Sequence, residues 1–199
     1  LGVGRHGAGG LGGLPGAQVD SGASQPDFAH PTRSSTMPTK KIPAKQTVLV
    51  TGASSGIGEA LARCFSAAQF DVVLVARSKD KLDALATELA GQHGNKVHVH
   101  AFDLSQANAA TQLLTALAQQ HCTIDVLVNC AGVLSQGRFL SIAPASHQHI
   151  IDLNVSGLTA MLSAFLPGMV ARGFGRVLNV ASVAAFQPVP TLASYAASK

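Results

Sequence analysis

The stretch VLVTGASSGIGEALA, residues 48–62, decides the fold of this chain. Its apolar start predicts a buried strand, and the residues after it repeat with the period of a helix. Between the two, Gly52, Gly56 and Gly58 follow the spacing G-x3-G-x-G. Glycine lets the backbone approach an anion closely, and a helix start offers free N–H groups and the positive end of its dipole. The context therefore predicts a pyrophosphate-binding turn, with a plain strand–helix turn as the alternative.

Strands and helices alternate along the rest of the chain. The predicted strands are 47–50, 71–76, 96–102, 124–129 and 175–182. The predicted helices are 56–70, 79–94 with Gly91 near its end, 105–121, 144–171 and one that begins near Leu192. This alternation predicts right-handed crossovers, and the continuous Val/Ile/Leu runs predict parallel strands covered on both faces. The predicted fold class is α/β, a Rossmann-type doubly wound parallel sheet of five strands between two helix layers.

The first 45 residues differ from the remainder in composition. Residues 1–22 contain nine glycines, and three lysines lie between residues 40 and 45. Such a segment cannot bury enough apolar surface to offset the entropy lost on ordering. We therefore expect residues 1–45 to form a disordered leader, with Met37 as the candidate natural start, and residues 46–199 to form one nucleotide-binding domain.

Charge and cysteine usage exclude several classes of function. From Gln46 onward there are nine basic and eight acidic side chains, so the domain has no electrostatic footprint for nucleic acid. Three cysteines without a CxxC pair predict a reducing, cytoplasmic setting. Only 12% of residues are charged, which predicts apolar surface covered by a second subunit or by further chain.

Two other sequence patterns are those of a candidate membrane span and of a candidate metal site. The uncharged segment 153–171 is long enough to cross a bilayer, but its polar residues and two glycines favour a helix buried within the protein, so we expect no membrane span. The pairs His98/His100 and His147/His149 have H-x-H spacing. No third ligand is evident beside either pair, so we expect no metal.

The end of the second predicted strand bears on the choice of cofactor. A carboxylate there would bind the ribose hydroxyls of NAD, but the sequence reads Ala76-Arg77-Ser78, and Asp71 lies at the opposite end of the strand. Arg77 can pair with a 2′-phosphate. The sequence therefore predicts NADP(H) in preference to NAD(H), with a solvated loop charge as the alternative for Arg77.

Five motifs together resemble the short-chain dehydrogenase/reductase superfamily, in its TGxxxGxG branch. They are TGASSGIG (51–58), NCAG (129–132), Asn154, Ser182 and YAASK (195–199). The resemblance implies a Rossmann-type sheet, an NAD(P) cofactor and redox chemistry between a carbonyl and an alcohol. It also implies a cofactor-binding set: Gly52, Ser54, Ser55, Gly56, Ile57, Gly58, Arg77, Asp103, Leu104, Asn129, Ala131, Gly132, Tyr195 and Lys199. Cys130 departs from the asparagine that the family often has there.

The same resemblance implies that Asn154, Ser182, Tyr195 and Lys199 are catalytic. Tyr195 and Lys199 are four residues apart, so on a helix they share one face, where the lysine ammonium favours a phenolate. Tyr195 would exchange the proton, and Ser182 would hydrogen-bond the substrate carbonyl. Asn154 would anchor a water that relays protons to Lys199.

The family's sheet continues for two further strands, which are absent from these 199 residues. We therefore expect a chain truncated at its catalytic helix and weak or inactive alone. The full-length protein is expected to act on a small-molecule carbonyl or alcohol as a homodimer or homotetramer. The alternatives are a non-catalytic nucleotide-binding module on the same fold and a relative of the epimerases or dehydratases.

Overall fold

The computed structural model describes residues 45–199, so the predicted leader lies outside the described residues apart from Lys45. Five parallel strands form one sheet in the order β3-β2-β1-β4-β5. They are β1 Thr47–Thr51, β2 Asp71–Ala76, β3 Val97–Ala101, β4 Val126–Asn129 and β5 Arg176–Asn179. The predicted α/β fold with a doubly wound parallel sheet is thus confirmed.

Residues 45–199 form six α-helices, of which five lie between strands and the sixth follows β5. They are α1 Gly56–Ala67, α2 Lys79–His93, α3 Ala109–Gln119, α4 Pro144–Ile151, α5 Leu158–Arg172 and α6 Ala193–Ser198. A π-helical segment, Asp152–Gly157, joins α4 to α5 without a break, and 3₁₀ turns occupy Phe139–Ser141 and Val183–Ala185. The predicted helix 144–171 is therefore one continuous helical stretch with a widened turn in its middle.

The core lies in two layers, one on each face of the sheet. On one face Leu49 and Leu127 pack with Leu113 of α3 and Phe165 of α5, all at most 5% exposed. On the other face the neighbouring strand residues pack against helices α1 and α2, in a cluster that includes Val48, Val50, Ala62, Leu82, Leu85 and Leu89. Alternate residues of one strand enter opposite layers because successive side chains point to opposite faces.

The prediction of strands covered on both faces is wrong for β5. All four of its residues are exposed, with Val177 at 38% and Leu178 at 42%. Within the described residues β5 pairs only with β4, so its outer edge is open. The strand also ends at Asn179 instead of residue 182, because the chain turns toward the 3₁₀ turn at Val183–Ala185.

The predicted bounds of α2 agree with the structure to within one residue. The helix ends at His93, followed by Gly94 in the left-handed conformation, so Gly91 lies near the helix end as predicted. Helix α3 begins at Ala109 instead of residue 105. Asp103 accepts hydrogen bonds from the backbone N–H and hydroxyl of Ser105, and Asn108 has a φ of 65°, so these residues form a turn before the helix.

Within residues 45–199 one helical stretch, Pro144–Arg172, is long and apolar enough to cross a bilayer, with a mean hydropathy of 1.4 in its most apolar window. This is weak evidence for a membrane span, since a core helix of a soluble protein passes the same test. Met161, Phe165 and Met169 of this stretch pack into the core.

Candidate active site

A cleft of about 400 Å³ opens at the carboxyl ends of the strands. It lies where β1 is flanked by β2 on one side and β4 on the other, the position at which open parallel sheets bind ligands. Most of the predicted site residues line this cleft: Gly52, Ser54, Ser55, Ile57, Gly58, Arg77, Asp103, Leu104, Ala131, Gly132, Tyr195 and Lys199. These residues come from five separate segments of the chain, which therefore meet at one place.

The glycine turn between β1 and α1 has no room for side chains at two positions. Gly52 has a φ of 70°, and a Cβ placed there would lie 3.0 Å from the Ala131 backbone. A Cβ on Gly58 would overlap the carbonyl oxygen of Gly52. The turn is therefore a close-packed cradle whose N–H groups, at the start of α1, can face an anion.

Two charged residues lie at the β2 and β3 end of the cleft. Burial alone would raise the pKa of Asp103, but hydrogen bonds from the hydroxyl and backbone N–H of Ser105 hold that pKa below its usual value. The Arg77 guanidinium contributes in the same direction. Arg77 is itself exposed and lines the cleft directly after β2. This end of the cleft thus combines an exposed cation with an ionised carboxylate.

Asn129 and Gly56 are predicted cofactor residues that do not line the cleft. Asn129 is 4% exposed, and its amide donates to Asn179 Oδ1 at 2.9 Å, which links β4 to β5. Thr51 Oγ accepts from the N–H groups of Cys130 and Ala131, both at 3.0 Å, and so links β1 to the chain after β4. These contacts fix the floor of the cleft.

Asn154 lies in the π-helical segment and is 4% exposed. Its Oδ1 accepts from Val133 N at 2.9 Å, and its Nδ2 donates to Val133 O at 2.9 Å and to Ser198 Oγ at 2.8 Å. The Ser198 hydroxyl in turn donates to the carbonyl of Tyr195 at 2.8 Å. Asn154 therefore joins the loop after β4 to α6, the helix that presents Tyr195 and Lys199. A π-helical turn often marks a functional position of this kind.

Tyr195 and Lys199 are both half-buried and line the cleft, as their spacing on α6 predicts. Lys199 Nζ donates to Val180 O at 3.2 Å. A Cβ placed on Gly132 would lie 3.0 Å from Lys199 Nζ and 3.3 Å from Asn154 Oδ1, so these three residues meet. Burial raises the pKa of the neighbouring Cys130 thiol, and the Lys199 ammonium opposes that rise.

Ser182 follows β5 by three residues and is half-buried. Its Oγ accepts a hydrogen bond from Ala184 N at 3.2 Å, which fixes the hydroxyl at the start of a 3₁₀ turn. Val180 and Ala181, just before it, line the cleft. Ser182 itself is not among the lining residues, so the structure places it at the margin of the cleft.

Two contributors to the site, Ser198 and Thr51, lie within the quoted motifs, but the sequence assigned them no role of their own. Their contacts depend on partners 44 and 79 residues away in the chain. A second cavity of about 610 Å³ lies at the amino ends of the strands and includes none of the predicted site residues. Within residues 45–199, no cluster of three or more His, Cys, Asp or Glu side chains could hold a metal.

Residues 46–199 match the family model described as short chain dehydrogenase. The chain belongs to the short-chain dehydrogenase family. This short-chain dehydrogenase is 38% identical over 159 residues to "Dehydrogenase/reductase SDR family protein 7-like" of Anopheles gambiae. The match covers 77% of this chain and 50% of that relative. The chain is 33% identical over 159 residues to "Dehydrogenase/reductase SDR family member 7B" of Danio rerio, covering 77% of this chain and 52% of the relative. This short-chain dehydrogenase chain thus spans about half the length of these two relatives.

Solved structures of the family share the fold of this short-chain dehydrogenase chain. A metagenomic short-chain oxidoreductase in complex with NADP superposes with a TM-score of 0.74 and 39% identity, over 77% of this chain and 70% of that chain. A short-chain dehydrogenase from Sphingobium yanoikuyae in complex with NADPH gives a TM-score of 0.72 and 36% identity, over 77% and 60%. These neighbours support binding of a nicotinamide cofactor.

Proposed function

We propose that this protein is an NADP(H)-dependent oxidoreductase that interconverts a carbonyl and an alcohol, with Tyr195 as acid and base. The observation that carries the proposal is the meeting of Tyr195, Lys199 and the glycine turn in one cleft. The chain covers only about half of its curated relatives, so the activity proposed is that of the whole protein.

The residues of the cleft fit a nicotinamide dinucleotide. The cradle of Gly52 and Gly58 excludes side chains and presents the start of α1 to a pyrophosphate. The Arg77 guanidinium, directly after β2, would pair with the 2′-phosphate of NADP(H), and Ser78 beside it also lines the cleft. The lack of a carboxylate directly after β2 supports NADP(H) over NAD(H). When bound, the nicotinamide supplies or accepts the hydride.

The remaining chemistry is proton transfer. Tyr195 is proposed to give its phenolic proton to the oxygen of a carbonyl substrate as that oxygen gains negative charge. The Lys199 ammonium, four residues further along and directly after α6, stabilises the phenolate that remains. Its bond to Val180 O holds the ammonium at the cleft.

Ser182 and Asn154 are proposed to support this step in different ways. The Ser182 oxygen accepts from Ala184 N, so its hydroxyl proton can point to the substrate oxygen and stabilise the developing charge. The amide of Asn154 is bonded to Val133 and Ser198, so it holds the cleft wall and α6 together. This geometry supports a positioning role for Asn154, in addition to the role in a proton relay that the family resemblance implies.

The test is Tyr195→Phe in the protein as its gene encodes it, assayed with NADPH and a panel of ketones and aldehydes. The substitution removes one oxygen and keeps the ring. We expect turnover to fall by roughly 10²- to 10⁴-fold, the usual contribution of a positioned acid. NADPH affinity, measured by fluorescence titration, should stay within about twofold, since the glycine cradle, Arg77 and the aromatic ring at residue 195 all remain.

Two results would argue against the proposal. Undiminished turnover by Tyr195→Phe would exclude the tyrosine as the acid. A wild-type protein that binds NADPH but oxidises and reduces nothing in the panel would favour a non-catalytic nucleotide-binding module on the same fold.

A further inference from the structure

His147 lies on α4 between two segments that border the candidate site. Its Nε2 is 3.1 Å from the carbonyl oxygen of Phe139, in the loop after β4, and its ring stacks on that of Phe139 with centroids 4.3 Å apart. Its Nδ1 is 2.7 Å from Ser194 Oγ. Ser194 is in the first turn of α6 and directly precedes Tyr195. One side chain therefore joins the loop to the helix of the candidate acid.

The partners of His147 determine its tautomer. A carbonyl oxygen only accepts hydrogen bonds, so Nε2 must carry a proton. Nδ1 of the neutral ring is then an acceptor, and the Ser194 hydroxyl donates to it. Both ring nitrogens of the neutral ring therefore have hydrogen-bond partners. Replacing the ring by an apolar one of similar size would break both bonds and keep the stacking.

A second contact joins the same two segments. Gly137 N donates to the carbonyl of Thr191 at 3.0 Å. Thr191 has a φ of 69°, which is strained for a β-branched residue and persists only where the surroundings hold it. The entry to α6 is thus attached to the loop on both sides of Leu192, through Thr191 and through Ser194.

We propose that His147 is a positioning residue, which fixes the loop residue Phe139 to the first turn of α6 and thereby sets the place of the Tyr195 phenol in the cleft. The inference rests on the proposed function, since it concerns the acid of that reaction. His147 does not line the cleft and acts only through Ser194 and Phe139. Asn154 holds the other end of α6 through Ser198, so the helix is fixed at both ends.

The test compares three single variants and one double variant with one control, all in the full-length protein. His147→Phe keeps a stacked ring without the nitrogens, and His147→Asn keeps an acceptor for Ser194. Ser194→Ala removes the opposite partner with little change in volume. His149→Phe is the matched control, because it makes the same change two residues later on α4. Each is assayed for kcat, KM and NADPH affinity, and for hydrogen exchange of residues 190–198.

We expect His147→Phe to lower kcat on the order of tenfold, below the roughly hundredfold that a misplacement of about 1 Å can cost. NADPH affinity should stay within about twofold, because the cradle at Gly52 is untouched. His147→Asn should recover part of the loss. Ser194→Ala by itself should lower kcat. The double variant His147→Phe/Ser194→Ala should have nearly the same kcat as His147→Phe, because both substitutions remove the same interaction. Exchange of residues 190–198 should accelerate in His147→Phe and not in His149→Phe.

Wild-type kcat in both His147→Phe and Ser194→Ala would overturn the proposal, as would equal effects of His147→Phe and His149→Phe. If the wild-type protein reduces no carbonyl, the proposed function fails, and hydrogen exchange decides separately. Faster exchange of residues 190–198 in His147→Phe alone would support the positioning of α6 by His147, and unchanged exchange would refute it.

Discussion

Replacing Asn154 by alanine should lower the free energy of unfolding more than replacing an exposed residue of the same π-helical segment by alanine. The side chain is 4% exposed and forms three hydrogen bonds, two to the backbone of Val133 and one to Ser198. Alanine removes all three and leaves the N–H and C=O of Val133 without these partners. The segment that carries Tyr195 and Lys199 would lose one of its attachments to the cleft wall.

The expected loss follows from these contacts. A hydrogen bond within a protein contributes about 1 kcal/mol net, so three give about 3 kcal/mol. A typical domain has about 5–15 kcal/mol of unfolding free energy, so the change is large. Ser156→Ala is the control, since Ser156 is an exposed residue of the same π-helical segment and should change stability by at most about 0.5 kcal/mol.

The assay is urea unfolding followed by circular dichroism, with wild type, Asn154→Ala and Ser156→Ala compared at one pH. A loss below about 1 kcal/mol for Asn154→Ala at an unchanged m-value would refute the reasoning, because the three bonds would then contribute no more than one ordinary contact.

Two further predictions concern charge. Arg77→Ala should weaken NADPH binding about 10- to 100-fold, the loss expected for one charge-assisted contact of about 1.5–3 kcal/mol, and leave the affinity for NADH within about twofold. Titrations of both cofactors at fixed salt check this. Equal weakening of both would contradict the phosphate contact. Burial, together with the charge of His98, lowers the pKa of His100, so below the unperturbed pKa of about 6.5 the unfolded chain binds the proton more readily. The contribution of His100 to the free energy of unfolding is therefore fully present above about pH 6.5 and is lost as the pH falls toward the pKa of the folded state. Unfolding midpoints at successive pH values should fall less steeply for His100→Gln, and parallel curves would show that another group titrates.

Much of the sheet was predictable because its strands are continuous apolar runs that end at turn residues. The predicted bounds of β2 were confirmed to the residue, and those of β1 to within one. The prediction failed for β5 because burial depends on what covers a strand, which local sequence does not specify. The start of α3 was missed because the side chain of Asp103 bonds Ser105 and competes with helix formation.

The position of the candidate site was predictable for a similar reason. The carboxyl ends of parallel strands meet at one edge, so Gly52, Arg77 and Asp103 had to be close to one another. The contacts of Asn154 with Val133 and of His147 with Ser194 were not predictable, because they join segments 21 and 47 residues apart whose approach depends on the tertiary packing. The π-helical turn has no signature in the local pattern of apolar residues.

The outer edge of β5, which is open within the part of the chain that the structure describes, has a consequence for behaviour in solution. Unpaired backbone groups along a strand template pairing with another chain, and β5 adds the half-exposed side chains of Val177 and Leu178. Natural proteins usually protect such an edge with charges, a bulge or a covering element, and Arg176 is the one charged residue of this strand. Recombinant production of residues 45–199 alone is therefore expected to give concentration-dependent aggregates that grow by edge-to-edge strand pairing.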